Sequence, residues 1–257
     1  MAYALVTGAS KGIGLAIAEQ FARRKMDLVL AARSEGQLQE AATRIASQYG
    51  VKASYYVVDL AKPGAAQELF DHCQAKKYDI NTLVNNAGYG LSGPFEKHSL
   101  AEHTSMMAVN MTALVELTYL FLPQLRQQPK AYILNIGSSA AYQAVPGLSL
   151  YAASKSFVLQ FSRGLHQELR RSSVSVTCVC PGSTDTDFAN RAQIGEKGRK
   201  AAEKVNMTPE DVAQQAVEAT LAGQTELVTG LLNKAGKLMA WLLPKGLVEK
   251  TAGSIYD

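Results

Sequence analysis

Thr7-Gly8-Ala9-Ser10-Lys11-Gly12-Ile13-Gly14 joins the apolar run Tyr3 to Thr7 to a segment of helical period that opens near Gly14. A β-rich run, a turn with three glycines and a helix make the start of a parallel βα unit. Bare backbone there lets a pyrophosphate lie against the helix N-terminus. The spacing is Gly-x-x-x-Gly-x-Gly, not the commoner Gly-x-Gly-x-x-Gly. Three glycines also serve as a plain tight connection, but a position directly after the first strand favours the phosphate-binding reading.

Outward from this turn, short apolar runs alternate with longer helical segments. Strands are expected at Asp27 to Ala32, Ser54 to Val58, Thr82 to Val84, Tyr132 to Ile136, Val174 to Val179 and Glu226 to Thr229. Ser34 before the stripe Leu38, Ala42, Ile45 and Tyr49, with Gly50 after it, has the order cap, apolar face, terminator. Thr208-Pro209-Glu210-Asp211 opens another helix with threonine at the cap and proline where its missing N–H does no harm. Alternating β and α units of this kind predict a Rossmann-type α/β fold: a doubly wound parallel sheet of about seven strands with helices on both faces.

The chain has 257 residues, 47% of them hydrophobic, enough for one sizeable core. No repeat or Pro/Ser-rich linker divides it, so a single domain over residues 1–257 is expected. Twenty-six Lys and Arg against 22 Asp and Glu leave a formal charge of +4. The basic residues are scattered, which argues against a nucleic-acid partner. Cys178 and Cys180 sit two apart in a β-branched run, so both face one side of a strand. With Cys73 they make no disulfide framework and read as buried thiols. The first apolar run leads straight into the glycine turn, leaving no room for a signal peptide, and a cytoplasmic protein is expected.

The second strand ends in Leu30-Ala31-Ala32-Arg33-Ser34. An acidic residue about 20 positions past the glycine turn marks NAD, whereas an arginine suits the 2′-phosphate of NADP. Arg33 occupies that place and Lys11 adds a second cation, so NADP(H) is the expected cofactor. Glu35 nearby offers the alternative, a ribose hydroxyl of NAD.

Tyr151 and Lys155 stand four apart at the start of a helical segment and project from one face. A phenol ordinarily titrates near about 10, and a neighbouring positive charge favours its ionised form. Tyr151 is therefore a candidate general acid, although an aromatic one turn before a lysine is also a common surface pairing. Ser138 follows the strand Tyr132 to Ile136, at the sheet end where open α/β sheets bind ligands. It reads equally as a turn serine beside Gly137 and Ser139. The four histidines, His72, His98, His103 and His166, are dispersed and show no metal-ligand spacing; surface or capping roles are expected for them, and no metal.

In combination these residues resemble one known family, the short-chain dehydrogenases/reductases. The resemblance rests on Thr7-Gly8-x-x-x-Gly12-x-Gly14, Asn85-Asn86-Ala87-Gly88, the serine after the fifth strand, Tyr151-x-x-x-Lys155 and Pro181-Gly182-x-x-x-Thr186. It implies an NADP(H)-linked oxidoreductase that interconverts a carbonyl and an alcohol. Tyr151 is then the acid/base, Lys155 its ribose-holding partner, Ser138 the group that orients the substrate oxygen, and Asn110 the fourth catalytic residue, whose backbone positions a water. The cofactor would lie on Gly8, Ser10, Lys11, Gly12, Ile13, Gly14, Arg33 and Ser34 at one end. Asp59 would contact adenine, Asn86, Ala87 and Gly88 would flank the adenosine half, and Pro181, Gly182, Thr184 and Thr186 would approach the nicotinamide end. Asn85 would brace the sheet. A homodimer or homotetramer built on the long helices is implied as well.

A substrate wall is expected from Tyr89, Leu91, Ala140, Tyr142, Val145 and Phe188, mostly apolar and suited to a hydrophobic ketone, aldehyde or secondary alcohol. The tyrosine hydroxyls could reverse part of that preference. The charged, glycine-bearing stretch 185–206 reads as a substrate lid or as a simple exposed loop. The C-terminal segment, about 230–257, joins an apolar stripe with lysines and the one tryptophan, Trp241. It is too short and basic to span a bilayer. Packing over the substrate pocket or a subunit interface is its favoured reading; adsorption to a membrane surface and a partner groove are the others. A non-catalytic NADPH-binding sensor and a membrane-surface lipid or sterol-type carbonyl reductase are the rival functions.

Overall fold

The computed structural model describes residues 2–186, 188–196, 198–199 and 206–256. Seven strands form one parallel sheet: β1 (Tyr3–Thr7), β2 (Asp27–Ala32), β3 (Ala53–Val57), β4 (Ile80–Asn85), β5 (Ala131–Ile136), β6 (Val174–Cys180) and β7 (Glu226–Val228), in the order β3-β2-β1-β4-β5-β6-β7. The helices between them are α1 (Gly12–Arg23), α2 (Glu35–Tyr49), α3 (Ala65–Ala75), α4 (Leu100–Met107), α5 (Ala113–Gln127), α6 (Ser149–Leu169) and α7 (Pro209–Leu221). After β7 come α8 (Leu231–Leu242) and α9 (Lys245–Tyr256). The expected doubly wound α/β architecture is the one observed.

Alternation along β1 divides the core. Ala4 and Val6 face Ile17 and Phe21 of α1, Leu38 and Ile45 of α2 and Ala213, Ala216 and Val217 of α7. Leu5 faces the opposite layer, with Leu69 of α3 and Leu117, Phe121 and Leu125 of α5. With both faces covered, the strands need near-continuous apolar runs, and β5 is buried along its whole length. Leu100–Gln127 has the length and hydropathy of a membrane span, but its apolar residues Leu117, Phe121 and Leu125 are spent on the sheet.

The strand order reverses between β1 and β4, and ligands bind α/β sheets at such a switch, beyond the carboxyl ends of the strands. The glycine turn and Asn86-Ala87-Gly88 leave the sheet there. Gly50 closes α2 in the left-handed conformation, as expected, and Thr208 caps α7 by accepting from Asp211 N. Ser34 departs from the expected cap: it stands at that position, but its hydroxyl makes no cap bond.

Candidate active site

Thr7 fastens the glycine turn to the end of β4. Its hydroxyl donates to Val84 O and accepts from the Asn86 and Ala87 N–H groups at 3.0 and 3.1 Å. Asn86 Nδ2 donates to Thr7 O and Gly8 O. Gly8 and Gly12 hold φ of +65° and +58°, which glycine adopts without penalty. A Cβ on Gly14 would collide with Asn86 Nδ2 and Gly8 O. The turn is thus a tight cradle before α1, whose first N–H groups point into it, with Lys11 at the N-cap.

Around this cradle stand the other expected cofactor residues. Gly8 N and Ala9 N donate to Ala31 O, which brings the end of β2 and the exposed Arg33 to its rim. Val58 N donates to Ala32 O, and Asp59, next in the chain, accepts from Ala61 N. Thr186 lies across the turn: its Cγ2 is 3.2 Å from where a Cβ on Gly12 would sit. Ser10 is half-buried, and Ile13 packs into the core below. Pro181 O accepts from Ser139 N. Gly182 is filled by Asn233 from α8, leaving no space for a side chain there. Thr184 pairs in a parallel bridge with Met207, reinforced by Asp185 N to Met207 O and Met207 N to Ser183 O, so the stretch beyond starts and ends at one clamped base. Of the expected lid, residues 187, 197 and 200–205 lie outside the described residues, and one helical turn, Phe188–Arg191, is among those described.

Ser138 follows the end of β5 by two residues in extended conformation, and its hydroxyl accepts from Ala140 N, opening a single 3-10 turn, Ser139–Tyr142. Tyr151 lies in the first turn of α6, 8% exposed, with its ring 5.3 Å from Phe188. Lys155 follows one helical turn later, its Nζ 5.9 Å from the Tyr151 ring centre. That ammonium is buried and donates to Ile136 O at 2.8 Å. Burial lowers its pKa to about 8, because a cation out of water loses hydration that one carbonyl does not replace.

Asn110 sits in a π-turn, Ala108–Thr112, between α4 and α5. Such single wide turns interrupt the helical hydrogen-bond ladder and recur at functional sites. Its Oδ1 accepts from Tyr89 N and its Nδ2 donates to Tyr89 O and Ser154 Oγ, each at 3.0 Å. Ser154 Oγ in turn donates to Tyr151 O. A Cβ on Gly88 would lie 3.1 Å from Asn110 Oδ1 and 3.3 Å from Lys155 Nζ. Gly88, Asn110 and Lys155 therefore meet, with Tyr151 beside them. Sequence reasoning missed Ser154, although a residue three after Tyr151 on a helix faces the same side.

Five of the six expected wall residues share one apolar cluster with Tyr151: Val145 within it, and Tyr89, Leu91, Ala140 and Phe188 packed against it. Leu148 and Ala252, which sequence reasoning missed, belong to it too. Tyr142 is a correction. It packs into the neighbouring cluster with Val158 and Leu159, and its hydroxyl donates to Glu226 at the start of β7, with Lys237 over its ring. Desolvation, with the carboxylate beside it, raises its pKa. The Tyr89 hydroxyl donates to Ser105. Both tyrosine hydroxyls expected at the wall are thus engaged elsewhere.

Asn85 braces the sheet as expected, donating to Thr118 Oγ1 and Asn135 Oδ1. The histidines differ from expectation: His98 and His103 are buried, donating to Ser92 O and Phe95 O. Gly137 has no space for a side chain, since a Cβ would lie 2.8 Å from Cys180 Sγ and 3.1 Å from Cys178 Sγ. Both thiols are buried and free.

A family model described as short chain dehydrogenase matches residues 2–197. The chain belongs to the short-chain dehydrogenase family. The very-long-chain 3-oxoacyl-CoA reductase of Anas platyrhynchos is 38% identical over 186 residues, which are 70% of this chain and 59% of that protein, so the match leaves much of that relative's length uncovered. Among solved structures, a short-chain dehydrogenase from Sphingobium yanoikuyae in complex with NADPH superposes with a TM-score of 0.82 at 30% identity, covering 95% of this chain and 97% of that one. A short-chain dehydrogenase/reductase from Burkholderia phymatum in complex with NAD gives 0.84 at 25% identity, covering 93% and 92%. As a short-chain dehydrogenase, this protein is an oxidoreductase acting on the CH–OH/C=O couple with a nicotinamide cofactor.

Proposed function

We propose that this short-chain dehydrogenase is an NADPH-dependent reductase of apolar ketones or aldehydes. The observation that carries the reading is the convergence of Gly88, Asn110 and Lys155 beside Tyr151, at the sheet switch where the glycine cradle opens. The cradle fits a dinucleotide: positive-φ glycines, close backbone approach and a helix N-terminus suit a pyrophosphate. Arg33 and Lys11 at its rim favour a 2′-phosphate. The bound nicotinamide would supply hydride to the carbonyl carbon.

The chain's own residues do the rest. The Tyr151 phenol gives its proton to the carbonyl oxygen, and the Ser138 hydroxyl donates a hydrogen bond that polarises that oxygen. The Lys155 ammonium favours the phenolate left behind and would hold the ribose hydroxyls. Asn110 fixes the Tyr89 loop against α6 and so sets where the wall stands relative to Tyr151. Val145, Leu91, Ala140, Phe188 and the Tyr89 ring exclude water and favour an apolar substituent. The reading places the protein in the cytoplasm, a reducing compartment suited to three free thiols. It assembles as a homodimer or homotetramer on α5 and α6, which expose Tyr119 and Phe157.

NADPH oxidation over a panel of ketones, aldehydes, sugars and keto acids, beside NADH and beside Tyr151→Phe, tests the reading. Turnover of apolar carbonyls with NADPH, lost in Tyr151→Phe while cofactor still binds, is the expected result. Cofactor binding without turnover of any compound would favour the sensor. Unchanged turnover in the variant would sink the mechanism.

A further inference from the structure

Helix α8 turns its apolar face outward. At 100° per residue, Leu231, Ala235, Leu238 and Leu242 fall on one stripe, flanked by Leu232, Met239 and Trp241. Leu231 is 84% exposed, Leu242 58% and Trp241 76%. The side turned to the protein is narrow and mostly small or polar. Ala240 is its one buried residue; Asn233 donates to Thr229 O, and Lys237 pairs with Glu226. A surface helix normally does the reverse, burying the stripe and exposing the lysines. An apolar patch of this size on a water-exposed helix marks an interaction surface.

Charge says which surface. Leu231 to Val248 contains three lysines and no acidic residue. Beside Trp241 and Leu238, a groove of about 450 Å³ between α6 and α8 is lined by Arg163, Lys234, Lys237 and Lys245. Glu226, the carboxylate at its edge, is shared by Lys237 and Arg163. A second copy of this chain is a poor occupant, because a two-fold contact sets the same lysine rim against itself. An anionic bilayer offers both complements, acyl chains for the leucine stripe and phosphates for the cations.

We propose that this face docks on an anionic phospholipid surface. Helix α8 lies in the plane of the interface, with Leu231, Leu238, Leu242 and Trp241 among the acyl chains. Lys234 and Lys245 stand at the headgroups, and the groove takes a lipid phosphate. The next helix, α9, carries Ala252 into the cluster that holds Tyr151 and packs Gly253 on Pro146. The docked helix is thus followed directly by one that packs on the apolar wall, although the docking itself does not depend on the reductase reading.

The test is co-sedimentation of the full chain with vesicles of phosphatidylcholine containing about one-third phosphatidylserine, beside vesicles of phosphatidylcholine alone. Trp241 is the single tryptophan, so its emission reports this helix directly. Pelleting and a blue shift with the anionic vesicles are expected, both much weaker with neutral ones. Lys234→Gln with Lys245→Gln should lower partitioning about 25-fold, roughly fivefold for each charge. Leu231→Ser with Leu242→Ser should abolish the blue shift, and both variants should keep the melting temperature of the parent. Absence of pelleting, equal partitioning to both vesicles, or a blue shift that grows with protein concentration without lipid would each overturn the proposal. The last outcome would assign the face to a second copy.

Discussion

Lys155 Nζ donates to the main-chain carbonyl of Ile136 at 2.8 Å, joining α6 to the end of β5 beneath the Tyr151 ring. The ammonium is buried, and its pKa falls to about 8, against about 10.4 for a lysine in an unfolded chain. Between these values the folded protein has released the proton and the unfolded chain has not. Stability contributed by this group therefore rises with pH across that window, by up to about 1.4 kcal/mol per pH unit. Below pH 8 both states are protonated and the slope vanishes. Lys155→Met lacks this slope, so the stability difference between parent and variant should shift in favour of the parent from pH 8 to 10. Urea midpoints of the two proteins at several pH values check it; parallel profiles would show that the lysine titrates elsewhere.

Gly137→Ala should destabilise the fold by about 1–3 kcal/mol, because its Cβ would press on Cys180 Sγ at 2.8 Å. Adding Cys180→Ala opens the space. The double variant should recover about 1 kcal/mol relative to the sum of the single ones, which a double-mutant cycle from thermal melts reads directly.

Arg33→Ala should raise the KM for NADPH about ten- to hundredfold, the loss of one charge-assisted contact of about 1.5–3 kcal/mol, with the KM for NADH unchanged. Steady-state kinetics with both cofactors decide it. An equal effect on the two would remove Arg33 from the phosphate site.

Tyr142→Phe separates structure from substrate contact. The phenol donates to Glu226, so the variant should lose about 1–3 kcal/mol of stability. Because Tyr142 packs away from the Tyr151 cluster, kcat/KM for an apolar ketone should stay within about twofold. A large fall in kcat/KM at unchanged stability would return Tyr142 to the substrate wall.

Much of this was legible in the chain. β1 and β2 begin and end where their apolar runs do, and the remaining strands shift by one or two residues at one or both ends. Ile80 and Ala131 were missed because a single buried residue beside polar Asn81, or beside Lys130, carries no period of its own. The π-turn at Asn110 leaves no mark on the hydrophobic pattern, since it is fixed by tertiary bonds to Tyr89 and Ser154. Tyr142 was misplaced for a similar reason: which way it points is set by Glu226, 84 positions later. Ser34 looked like a cap by type, yet capping depends on a rotamer that sequence does not specify. The segment after β7 was read as packing over the pocket or a subunit interface, as adsorbing to a membrane surface, or as filling a partner groove. Its second helix, α9, carries Ala252 into the Tyr151 cluster, whereas α8 faces outward.

The bridge between Thr184 and Met207 has a consequence for how this enzyme can diversify. Because the strap that departs after Ser183 comes back to the same clasp, its length can change without moving the sheet, while Thr186 and Phe188 near its start stay against Gly12 and the Tyr151 ring. Doubling its length would cost only about 0.6 kcal/mol in closure entropy. New substrate preferences could thus be written into one replaceable cassette while the hydride chemistry beneath it stays fixed.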